Sequence, residues 1–166
     1  DPMRDKILDY NNYSVSISPV DGSIWGAYRE FPGGFLRLIP GDNPPETAIA
    51  QYYEIPRDAD GNPSGPHSMR GADIDRNGVM WAGLQSGHIA SFDVRKCTGA
   101  LNGPESTGQH CPEGWAFHEL PGPQYKNMQD VPGSAEASYY TWVDQFNTLG
   151  LGEDVPVVIG NASDSL

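Results

Sequence analysis

The 166-residue chain holds only two cysteines, only ten Lys and Arg together, and no apolar run approaching the length of a membrane span. Each scarcity excludes something. A spanning helix needs about 20 apolar residues in a row, so no membrane span is expected. Nucleic-acid backbones are held by clustered Lys and Arg. Here the densest basic stretch is Arg95-Lys96, against 22 Asp and Glu, so no nucleic-acid partner is expected. The net charge of −12 also disfavours anionic membrane surfaces. No signal peptide stands ahead of Asp1-Pro2-Met3, and the chain reads as a mature or excised segment.

What is present is turn chemistry. Gly (20) and Pro (15) are abundant, while charged residues reach only 19%. Many short strands joined by turns give this profile, and long helices do not. Four Trp, eight Tyr and five Phe argue against a disordered chain. The two cysteines, Cys97 and Cys111, bound a polar loop rich in Gly, Pro, Asn and Thr. Their spacing suits neither a zinc knuckle nor a redox pair. Two readings follow: a disulfide closing the loop, which fits an oxidising compartment, or free thiols in a cytosolic protein. Asn12-Tyr13-Ser14 and Asn161-Ala162-Ser163 have the form of glycosylation sequons, a pattern that chance supplies readily.

The chain repeats itself. Ser14 to Tyr28 and Arg70 to Leu84 each contain an alternating strand, then a turn ending Asp21-Gly22 or Asn77-Gly78, then an apolar strand. Trp25 and Trp81 both fall three residues past the turn glycine. Asp-Gly and Asn-Gly permit the positive φ angles of hairpin turns. Gly34 to Ile39 then matches Gly87 to Phe92, and Tyr52 to Pro56 matches Phe117 to Pro121. Four short strands thus recur in one order, the pattern of a propeller blade. The expected fold is all-β: a β-propeller fragment of about two four-stranded antiparallel blades plus the start of a third. The expected divisions are a lead-in over 1–11, blade one over 12–56 and a linker over 57–66. Blade two, with its Cys-bounded insertion, covers 67–122; a loop and the start of a third blade cover 123–166. In that last part Ser138 to Leu149 reads as a short helix ending at Gly150 or as a strand, with the strand favoured for Tyr139 to Val143, and Val155 to Ile159 reads as a buried strand.

The run Gly65-Pro66-His67, Asp75 to Trp81, Gly87 to Asp93 and Glu119 to Pro121 resembles the blades of streptogramin-lyase (virginiamycin B lyase-like) propellers. The resemblance covers roughly residues 12 to 122 and is closest to long exported bacterial proteins that carry such blades. It implies a periplasmic or secreted protein. In the lyases it implies metal-assisted C–O elimination by His and Glu residues around a central channel, which makes His67 the catalytic candidate and a divalent metal, Mg or Ca, the cofactor. Ser68 stands where that family has Gly, and no Glu-Xaa-His pattern adjoins it.

Other constellations have plain readings beside the functional ones. Asp73, Asp75 and Asn77 have the opening spacing of a calcium loop, but Leu84 stands where the bidentate Glu belongs. A hairpin turn accounts for them fully. Asp58, Asp60 and Asn62 form a similar set in the linker and are the metal candidates. His88 and His118 fall in strands whose alternation turns them outward, and Cys97 with His110 lacks the rest of a nucleophilic site. Trp25 and Trp81 are expected to be buried between blades and not to stack on sugars. The leading expectation is therefore a ligand-binding or interaction segment of a larger exported propeller, with a small-molecule or glycan ligand. Its partners would be the remaining blades or other chains, meeting Ile7 and Leu8 at one end and Val157, Val158 and Ile159 at the other. The alternative is the lyase-like enzyme.

Overall fold

The computed structural model describes residues 11–162, so Ile7 and Leu8 lie outside the described residues. Among the described residues ten strands run in chain order. They are β1 (Asn12–Ile17), β2 (Ile24–Tyr28), β3 (Gly34–Ile39), β4 (Ile49–Glu54), β5 (Met69–Ile74), β6 (Met80–Leu84), β7 (His88–Phe92), β8 (Trp115–Glu119), β9 (Ser138–Asp144) and β10 (Val155–Gly160). Sequential antiparallel pairing makes two four-stranded sheets, β1 to β4 and β5 to β8, and a two-stranded sheet of β9 and β10. The first strands β1, β5 and β9 lie side by side and carry most of the contact between sheets. This open arrangement is consistent with a propeller fragment of two blades and the first half of a third.

Local chemistry explains the repeat. In blade two the Asp75 carboxylate accepts the Asn77 and Val79 N–H groups at 2.8 and 2.9 Å, closing the turn that Gly78 completes at φ 81°. In blade three Asp144 occupies the same place and accepts from Thr148 and Leu149 at 2.8 and 2.7 Å. Blade one has Ser18 there, and Asp21 takes over, accepting from the Ser23 N–H at 3.0 Å. Trp25 and Trp81 are each the second residue of their blade's second strand, as their spacing predicts.

The core lies between blades one and two. Trp25, Phe35 and Tyr53 of blade one meet Ala72, Ile74 and Phe92 of blade two, with Tyr53 and Phe92 centroids 4.6 Å apart. Burial of such rings dominates the energetics of an interface like this. Trp25 is buried, but Trp81 is only half-buried, correcting the expectation that the two match. The reason is what lies opposite. Trp25 packs on Phe92 from a third strand, whereas Trp81 faces a sheet with only two strands.

His88 corrects a second expectation. It is 3% exposed, because β7 alternates with His88 on the same buried face as Ala90 and Phe92, while Ile89 and Ser91 are half-exposed. His118 is exposed as expected. Cys97 and Cys111 are joined in a disulfide between β7 and β8. The loop they bound reaches back over blade one: Glu54 N–H donates to Gly108 O at 2.8 Å, and Gln51 Nε2 to Asn102 Oδ1 at 2.9 Å. His110 stacks near Tyr53, with centroids 5.1 Å apart. No helix among the described residues is long and apolar enough to cross a membrane.

Candidate functional site

The end at which the chain enters β1, β5 and β9 gathers the polar and aromatic side chains. His67 lies there, two residues ahead of β5. Its N–H donates to Ser86 Oγ at 3.0 Å, and its Nδ1 lies 3.0 Å from Ser68 Oγ. Ser68 has φ 59°, in the left-handed region where the glycine of the resembling family would be at ease. The Phe31 ring stands 5.3 Å from the imidazole. Ser86 Oγ also contacts His88 Nδ1 at 3.1 Å, so one hydroxyl joins the two histidines. Burial pushes the His67 pKa down, and the neighbouring His88 adds to that. Burial likewise lowers His88, against the opposing pull of Ser86 and Glu119.

Beside this cluster, equivalent positions of the three first strands converge. Tyr13, Arg70 and Tyr139 are each the second residue of β1, β5 and β9. The Tyr13 and Tyr139 rings meet edge to face with centroids 5.5 Å apart, and the Arg70 guanidinium lies 5.8 Å from the Tyr13 centroid. The hydrogen bond with the Tyr139 phenol, aided by burial, pushes the Tyr13 pKa up to about 12. The exposed Tyr140 continues the aromatic patch at 5.3 Å from Tyr139. β5 and β9 approach closely because Gly71 has no side chain: a Cβ there would lie 2.8 Å from Tyr140 Cα. Asp73 then ties all three strands, accepting from Ser16 Oγ at 3.3 Å and from Val143 N–H at 2.9 Å.

The metal candidates lie in the linker between β4 and β5, near the end of β5 and in the turn that follows it. Asp58 Oδ1 accepts the Asp60 and Asn62 N–H groups at 3.0 and 2.8 Å, closing an exposed linker turn. Asp73 is committed to Ser16 and Val143, and Asp75 to its own turn and to Trp81 Nε1 at 3.3 Å. Among the described residues no group of three His, Cys, Asp or Glu side chains converges as a metal site. A divalent ion coordinated through several oxygen donors does not fit the side chains around His67.

The sequence reading picked out His67 and passed over Tyr13, Arg70 and Tyr139. The signal that finds them is the register of the three first strands, which becomes legible once Ser18, Asp75 and Asp144 are aligned as turn openers. No protein-family model, curated protein or solved structure matches this chain.

Proposed function

We propose that this chain is a non-catalytic arc of a larger, exported β-propeller, an interaction and ligand-binding segment flanked by further blades of the same ring. The observation that carries the reading is a difference between equivalent positions. Val15 and Ile17 on β1 are 64% and 66% exposed, while Ala72 and Ile74, their counterparts on β5, are 8% and 2% exposed. The second pair is covered by blade one, so the first pair marks the face that a preceding blade covers. Trp81 marks the other side, where the third blade has two strands in place of four. Repeat units bury their apolar faces on neighbours, and propellers close with about four to eight blades. The disulfide supports an oxidising compartment. The resemblance to streptogramin-lyase-type blades supports the same architecture.

The lyase-like reading is the weaker one. His67 is tied to Ser68, Ser86 and Phe31, and burial makes it a poorer base. Sedimentation velocity on the isolated chain tests the proposal. Concentration-dependent self-association is expected, and a stable, cooperatively unfolding monomer would overturn it. Binding of Mg or Ca that is abolished by His67→Ala would favour the enzyme instead.

A further inference from the structure

Resting on the propeller reading, the geometry points to a binding site for a carboxylate carried on a sugar ring, built by Arg70 with Tyr13, Tyr139 and Tyr140 at the axial end. Arg70 is distinguished by what it lacks. The other described arginines, Arg29, Arg37, Arg57, Arg76 and Arg95, each lie within 4.0 Å of an Asp or Glu oxygen. Among the described residues none does so for Arg70. In a chain of net charge −12, a guanidinium that meets no carboxylate among the described residues has passed over many candidate partners. Its only hydrogen bond among the described residues runs to the adjacent Met69 carbonyl at 3.1 Å, which leaves most of the fork of donors open.

The surroundings specify the rest of the ligand. A guanidinium receives a carboxylate through two parallel bonds, a geometry that Lys cannot copy. Tyrosine rings offer flat apolar faces and hydroxyl tips, which suit a ring that is apolar on one face and rimmed with hydroxyls. Tyr140, at 60% exposed, presents such a face to solvent. The Tyr13 phenol, with its pKa pushed up to about 12, stays protonated through the neutral range and adds no negative charge against an anion. Three successive first strands each contribute one residue at the same height, so the site exists only where adjacent blades meet.

Equilibrium dialysis of the whole chain against a labelled galacturonate trisaccharide tests this, because dialysis reads bound ligand whatever the association state of the protein. The acidic trisaccharide is expected to bind, and its neutral methyl ester at least about 10-fold more weakly, the loss typical of a charge-assisted contact. Arg70→Gln should lower binding of the acid about 10-fold or more while leaving near-UV circular dichroism unchanged. Arg70→Lys should fall between. Equal binding of acid and ester, undiminished binding by Arg70→Gln, or no binding of the acid at all would overturn the site. Sedimentation separates the two claims. Arg70-dependent binding by a stable monomer leaves the site standing and removes the ring; self-association without binding does the reverse.

Discussion

Asp75 shows how much one side chain can hold in a turn-rich protein. It is buried, and its two oxygens serve Asn77, Val79 and the Trp81 indole together. Asp75→Ala leaves those donors unmatched and should cost about 2–3 kcal/mol by urea unfolding, whereas Asp75→Asn, which keeps one acceptor, should cost about half that. Histidines make a second prediction at this scale. Burial lowers the pKa of His67, His88 and His110 below the ordinary 6.5. The unfolded chain therefore binds more protons than the folded one as pH drops past that value. Their stabilising share is complete above about pH 6.5 and is lost as pH falls from there towards the lowered values. Melting temperatures should be lower at about pH 5.5 than at about pH 7.5, and His88→Asn with His110→Asn should shrink the difference. Asp93, held low by Arg95, and Asp154, held low by Arg76, act in a separate window below about pH 4.

Among the elements, the insertion bounded by the disulfide does more than fill space between β7 and β8. It hydrogen-bonds to β4 of the other sheet through Gly108 and Asn102, and Gln109 Nε2 reaches Glu54 Oε2 at 2.7 Å. Replacing Cys97 and Cys111 by Ser should cost about 3 kcal/mol of stability, the value for a loop of about 15 residues. It should also speed amide exchange at Glu54, whose N–H depends on that loop. Unchanged exchange at Glu54 would show that the loop holds its place without the bond. The loop's role was not legible in the sequence, because its composition announces only that it is polar and turn-rich. The strands of the first two sheets were legible: Asp-Gly, Asn-Gly and the terminal Pro56 and Pro121 punctuate them. Val155 to Ile159, expected to be buried, are half-buried in a sheet of only two strands. His88 was misplaced because alternation gives the period and not which face is buried: it shares the buried face with Ala90 and Phe92, and Ile89 and Ser91 take the half-exposed one. The Tyr13, Arg70 and Tyr139 grouping escaped because it depends on register across three blades, and the turn of blade one opens on Ser18 in place of Asp.

On the scale of the whole molecule, the two tryptophans measure how fully each sheet is covered by the next. Trp25→Ala removes a ring packed by its own sheet and by blade two and should cost about 3–5 kcal/mol by chemical denaturation. Trp81→Ala should cost clearly less in this chain, and equal costs would mean that its exposed side is not an interface. Val15→Lys with Ile17→Lys should reduce self-association of the isolated chain, read as a smaller sedimentation coefficient at high concentration. Stacked repeats ordinarily feel only their nearest neighbours, so that an array can fray from one end unit by unit. The convergence of the first strands breaks that rule. Tyr13 touches Tyr139 across blade two, and Asp73 holds a group from each flanking blade. Blade three, when it loosens, withdraws a contact from blade one as well as from blade two. The arc is thereby coupled beyond adjacent units, and its unfolding should be sharper than a chain of pairwise links would give.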